Sequence, residues 1–220
     1  IIGVLTLTGA ASQFAEFVLA VGERSLFLSL VLTMLVCLLL GMGIPTIPNY
    51  IITSAIAAPA LLKLGVPLIV SHMFVFYFGI MADLTPPVAL AAFAAASISK
   101  ASPMRTGWKA THIAIAGFVI PYMAVYSPAL MLQPGPSGSI EPLAVLYVLV
   151  KALLAVGLWG GAAIGFLLGP LNVLERFAAL AAAALLVAAL PLTDELGFAA
   201  CGAFVLWHWL RVRRARSRGA

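Results

Sequence analysis

From Ile1 to Leu210 the chain is a series of apolar segments separated by short polar or Gly/Pro-rich punctuation. That alternation makes lipid the outer solvent for most of its surface. Hydrophobic residues make up 64% of the sequence and charged residues only 9%, whereas a water-soluble domain carries about 25% charge. Too few charges remain to cover a water-facing surface. The fold class that follows is an all-α polytopic membrane protein, because a helix satisfies its own backbone groups in hydrocarbon.

The order of segments sets the organisation. Ile1–Val21 comes first, then Ser25–Leu40 and Asn49–Leu62, joined by Gly41-Met-Gly-Ile-Pro-Thr-Ile-Pro48. Val66–Ser99 follows, split by Asp83-Leu-Thr-Pro-Pro87, and Thr111–Leu132 reads as an ordinary span. A Gly/Pro/Ser loop, Gln133–Pro142, leads to Leu143–Leu168, Phe177–Leu190 and Leu196–Leu210. A full crossing takes about 20 apolar residues. Ser25–Leu40 and Asn49–Leu62 are each short for that and fit a re-entrant hairpin over 25–62. Val66–Ser99 is too long for one span and suits a discontinuous helix with an unwound middle. The last two segments are short enough for tilted spans or an interfacial pair.

Ile1 and Ile2 begin inside an apolar run, with neither a basic leader nor a small-residue cleavage site, so no signal or transit peptide is expected. The expectation is a C-terminal fragment of a longer protein. The net charge of +5 comes mostly from Arg211, Arg213, Arg214, Arg216 and Arg218, which directly follow an apolar helix. A cytoplasmic positive-inside anchor accounts for them better than nucleic-acid binding. With that tail inside, counting back through the segments places Lys100, Arg105, Lys109 and Arg176 inside as well. Nine of the twelve basic residues then face the cytoplasm; Arg24, Lys63 and Lys151 are the exceptions. Cys37 and Cys201 read as small buried hydrophobes.

The two interruptions are the places where chemistry is expected. Proline costs about 3 kcal/mol in a helix interior and removes a backbone donor. Backbone groups freed within a membrane need partners in protein or in a wet cavity. Freed carbonyls suit Na⁺, and half-helix N-termini suit an anion. A simple kink or a surface loop is the plainer reading of Gly41–Thr46. At the second break, Pro86 and Pro87 are expected to open a helix at Val88, with Thr85 near its N-cap. Asp83 would cost about 2.5–3.5 kcal/mol at the centre of a bare membrane helix, so it is either functional or rescued by water or a partner. Two similarly built breaks are a sequence pointer to a transporter's central site.

The motifs Gly41-Met-Gly-Ile-Pro-Thr46, Phe74-Val-Phe-Tyr-Phe-Gly79 and Thr85-Pro-Pro-Val-Ala-Leu-Ala91 resemble the large membrane subunit of tripartite ATP-independent periplasmic (TRAP) transporters. Asn49–Leu62 and Gly117–Leu132, with Tyr126-Ser-Pro-Ala-Leu130, resemble the fused permeases that work with TAXI-type binding proteins. The resemblance covers residues 1–132 as the second of two inverted repeats of an elevator-type transporter. Residues 133–220 resemble the C-terminal transmembrane extension of those permeases. The resemblance implies sodium-coupled import of an organic anion, of the carboxylate type, across the bacterial inner membrane. It implies as partners a periplasmic TAXI-type binding protein, the N-terminal permease portion with its small-subunit-like part, and lipid. By position it implies Na⁺ ligands at Gly41, Ala82, Thr85 and Val88, with no other cofactor. Thr46, Asn49 and Asp83 are the expected substrate contacts. In the family a glycine is common where Ala82 stands, and Asp83 replaces a position often small or apolar.

Other features have structural readings. Gly157, Gly161, Gly165 and Gly169 recur every fourth residue and are expected to form one helix-packing face. Lys151 is expected to snorkel, His72 and His112 to be structural histidines, and His208, between Trp207 and Trp209, to lie in an interfacial aromatic belt. A membrane-embedded enzyme using Asp83 is the alternative from another class; an aspartyl protease needs two facing carboxylates, and only Asp83 lies deep in the chain. A membrane scaffold explains the apolar bulk but not two matched breaks.

Overall fold

The computed structural model describes residues 7–22, 25–134, 138–188 and 191–218. Arg24 lies outside the described residues, as does the start of Ile1–Val21, and no side chain is described at Arg216 or Arg218. Among the described residues the architecture is helical, without a β-strand beyond one isolated Phe166–Pro170 bridge. The chain forms two compact units, one up to Thr111 and one from His112 onward.

In the first unit, α1 (Ala10–Gly22) packs on α2 (Leu26–Leu40) and α3 (Thr46–Lys63). Ser25 caps α2 by accepting from the Leu28 amide at 3.4 Å, and Ser29 donates its hydroxyl to Val18 O at 2.9 Å, tying α2 to α1. Between α2 and α3 the chain turns through Gly41–Pro45, with Gly43 at φ +77°. The helix after this turn begins at Thr46, three residues earlier than expected, because Pro48 falls in its first turn, where a missing N–H costs nothing. At 1.5 Å per residue α2 is about 22 Å long and α3 about 27 Å, both shorter than a bilayer core of about 30 Å.

Helix α4 (Leu68–Met81) packs along α3. Tyr50 OH lies 2.9 Å from His72 Nδ1, and the Tyr50 ring meets Phe76 edge-on at 5.3 Å. His72 is thus a partnered structural histidine. The break after α4 runs from Ala82 to Ala89, wider than Asp83–Pro87, and α5 is only Leu90–Ser99. Pro86 and Pro87 do not open α5 at Val88. Ala89 sits in the left-handed region at φ +38°, so helical geometry starts only at Leu90.

The expected span Thr111–Leu132 is built differently. Helix α6 (Pro103–Ala114) starts eight residues earlier, tightens into a 3₁₀ turn at Ile115–Phe118, and resumes as α7 (Val119–Tyr126). Pro121 explains the change, since it removes the amide that would bond Gly117 O in a regular helix. Pro103–Tyr126 and α8 (Pro142–Ile164) are long and apolar enough to cross a membrane.

In the second unit α8, α9 (Val173–Val187) and α10 (Pro191–Arg218) pack around Ala152, Ala155, Leu158, Ala179, Ala183 and Leu186. Ala179, Ala182, Ala183 and Leu186 repeat at helical spacing and are all buried. The glycine ridge is not one helix face. Gly165 ends α8 at φ +81°, and Gly169 lies beyond it in the turn, where an added Cβ would come within 2.7 Å of Val212. The close helix approach falls instead at Gly197, where a Cβ would lie 2.9 Å from the Leu186 amide nitrogen and 3.1 Å from the Leu185 carbonyl carbon. Gly197→Ala is therefore expected to destabilise by about 1–3 kcal/mol through overpacking. Gly202→Ala, in the same helix with nothing within 4 Å, should stabilise by up to about 1 kcal/mol. Thermal unfolding of both variants in one detergent measures the contrast.

Two further expectations give way in this unit. Lys151 does not snorkel: its side chain is 2% exposed and its Nζ lies 2.5 Å from Asp194 Oδ1, while Tyr147 OH donates to Asp194 Oδ2 at 3.0 Å. Burying that amine is tolerable because α10 starts at Pro191, not Leu196, and its first turn delivers the carboxylate. His208 is not in an exposed belt. It is fully buried, stacks on Phe204 at 6.0 Å and faces Glu175 at 3.4 Å, whereas Trp207 and Trp209 are exposed.

Candidate functional site

The tip between α2 and α3 and the break between α4 and α5 meet. A Cβ at Gly41 would come within 2.7 Å of both Ala82 Cβ and Asn49 Nδ2, and within 2.9 Å of Gly79 O. One at Gly43 would lie 3.6 Å from Val88 Cγ1. At position 41 only glycine allows this approach; at Gly43 the contact would be an ordinary one. Asn49 holds the junction by donating Nδ2 to Gly79 O at 2.7 Å across 30 positions of sequence.

Oxygen atoms dominate the junction. Asn49 is 1% exposed, and its Oδ1 has no hydrogen-bond partner among the described residues. Thr85 donates its only hydroxyl proton to Met81 O at 2.8 Å, so towards any further ligand that hydroxyl offers lone pairs alone. Ala82 is buried, and its carbonyl accepts from the Thr85 amide at 3.2 Å, using one of two lone pairs. Asp83 is half-buried with an enclosed Oδ1 that has no partner among the described residues, while its backbone carbonyl accepts from the Ala91 amide at 3.1 Å. Thr46 is half-buried at the start of α3, and its side chain makes no hydrogen bond among the described residues.

Helix α6 braces the break. Thr111 donates to Leu84 O at 2.9 Å, giving a partner to a carbonyl that the interruption frees. A Cβ at Gly107 would lie 3.2 Å from Pro86 and 3.4 Å from Ala89. Neither Thr111 nor Gly107 carries a local pattern that points to a break 27 or 21 residues upstream.

The model of the tripartite ATP-independent periplasmic transporter family, DctM component, matches residues 1–134. This chain belongs to that family. The match takes in the whole tip and break. A search of curated proteins and a search of solved structures each returned no match. The chain is thus part of a TRAP large permease, from a family of membrane transporters for organic acids. That assignment gives the apolar exterior its meaning. Phe27, Leu35, Leu39, Leu68 and Ile69 of the first unit are all about half exposed, an arrangement suited to lipid and unsuited to water.

Proposed function

We propose that this TRAP permease chain couples solute import to Na⁺ at the tip–break junction. The observation that carries the proposal is the unpartnered Asn49 Oδ1, buried where Gly41 meets Ala82 and Gly79. An orphaned buried acceptor costs about 1–3 kcal/mol, and a cation ligated by it offsets that cost. The donors on hand are carbonyl, amide and hydroxyl oxygens, hard ligands suited to an alkali cation. Gly41, Ala82, Thr85 and Val88 form the proposed ligand set, and Asn49 supports it from α3. Thr46 is the proposed solute contact, with Asn49 and Asp83 flanking it.

The solute class proposed is an organic anion of the carboxylate type, received from a periplasmic binding protein of the TAXI type. The fold proposed for residues 1–132 is the second inverted repeat of an elevator, with 25–62 as a re-entrant hairpin, 66–99 as its broken helix and the arginine-rich end cytoplasmic. A 220-residue chain supplies one half of such a repeat pair, so the test uses the complete permease.

Uptake into proteoliposomes with the cognate binding protein should fall to background when Na⁺ is replaced by choline. Thr85→Ala should raise the Na⁺ concentration for half-maximal uptake about tenfold, one lost oxygen ligand being worth about 1.4 kcal/mol at that ratio. Uptake indifferent to choline replacement would sink the sodium reading. Asp83→Asn with unaltered transport and pH profile would remove the carboxylate from it.

A further inference from the structure

The second unit is electrically polarised along its length. Glu141, Asp194 and Glu195 lie at the end where α8 and α10 begin. Arg176, Arg211, Arg213 and Arg214 lie at the other end, around the turn that joins α8 to α9. The acid at that basic end, Glu175, is 1% exposed and turned inward, where Arg211 and His208 engage it. The outer surface of this end is therefore cationic.

A cavity of about 380 Å³ opens there, lined by His112, Trp159, Arg176, Phe177 and Leu180 among others, and by no carboxylate. Arg176 is held in place by donating Nε to Ala162 O at 2.6 Å and Nη2 to Ala163 O at 2.9 Å, the last-turn carbonyls of α8. Nη1 takes part in neither bond. The cavity walls are otherwise apolar and continue onto exposed Phe177 and Val173. A fixed guanidinium and an imidazole lining one otherwise apolar cavity match an anion that carries hydrocarbon chains.

We propose that this cavity seats the headgroup of an anionic phospholipid from the leaflet facing the basic end, its phosphate on Arg176 and His112 and its chains along Phe177 and Leu180. The complementarity of charge selects this occupant. A zwitterionic lipid brings a cation with its phosphate, and a neutral amphiphile leaves Arg176 without a counter-charge.

Trp159 reports on the cavity directly. In the 220-residue chain carrying Trp108→Phe, Trp207→Phe and Trp209→Phe, its fluorescence is read in micelles doped with brominated phosphatidylglycerol or brominated phosphatidylcholine. The anionic lipid should quench at about fivefold lower mole fraction, the ratio that one basic residue at an anionic surface supplies. Arg176→Gln should equalise the two lipids. Because Arg176 also caps α8, Ala163→Phe provides a second variant that keeps the guanidinium and fills the cavity, and it too should equalise them. Equal quenching in the parent chain, or a preference that survives Ala163→Phe, would overturn the proposal. Loss of the preference on adding inorganic phosphate at constant ionic strength would assign the site to a free anion instead.

Discussion

Gly41→Ala is expected to reduce uptake by the complete permease at least tenfold while the protein still inserts and folds. The new methyl group would stand 2.7 Å from Ala82 Cβ and 2.9 Å from the backbone oxygen of Gly79. Carbon atoms pack at about 3.5–4.0 Å, so one element has to move by roughly an ångström. The tip then separates from the break, and every oxygen contributed from one side loses its geometry relative to the other. Displacements of that size at a functional centre cost about a hundredfold in rate where geometry is limiting. Gly157→Ala is the control, since nothing lies within 4 Å of its added Cβ and its uptake should match the parent. Initial-rate measurements at several Na⁺ concentrations separate the effects. A shift in Na⁺ dependence locates the damage at the junction, and an unchanged rate in Gly41→Ala would show that the close approach is not needed.

The second large effect is on stability. Glu175→Ala is expected to destabilise the chain by about 3–5 kcal/mol, the usual result of removing one partner from a buried ionic cluster. Glu175 accepts from the Asn172 amide at 2.6 Å in a capping box, pairs with Arg211 and faces His208 at 3.4 Å. Its loss strips the first turn of α9 and leaves His208 fully buried with neither ring nitrogen partnered. Adding His208→Leu to the Glu175→Ala chain should restore part of the loss, because the stranded polar ring is then gone. Asn172→Ala alone, which removes half of the capping box, should cost about 1 kcal/mol. Thermal unfolding of the four proteins in a single detergent orders them. A Glu175→Ala chain as stable as Asn172→Ala would mean that Arg211 and His208 contribute nothing through the carboxylate.

Both sides of the junction fall at backbone interruptions, which have few physical excuses in a membrane chain. Glycine and proline within 41–48 and proline within 83–87 mark the two segments that meet at the junction. Their contact was implied by family resemblance and not by any local pattern, since Asn49 and Gly79 are linked only through the folded chain. Boundaries were less legible. The start of α5 depended on the left-handed Ala89, and alanine announces no such geometry.

The second unit was harder to anticipate. Every-fourth-residue glycines mimic a packing ridge, yet whether Gly165 continues a helix or ends it depends on tertiary context. Lys151 and His208 depart from expectation for a common reason: a polar residue on an apolar segment is expected to find solvent or headgroups. Each instead met a carboxylate from another helix. The Asn172–Glu175 pair, by contrast, carries the spacing of a capping box and was there to be noticed.

Helix α10 has 28 residues, a rod of about 42 Å against a hydrocarbon core of about 30 Å. Its apolar stretch ends at Leu210 and the helix runs on to Arg218, so Arg211, Arg213 and Arg214 ride on a stiff arm of about 12 Å and not on a loose tail. A fluorophore attached at Arg214 would thus report the orientation of α10 itself and not the tumbling of a linker.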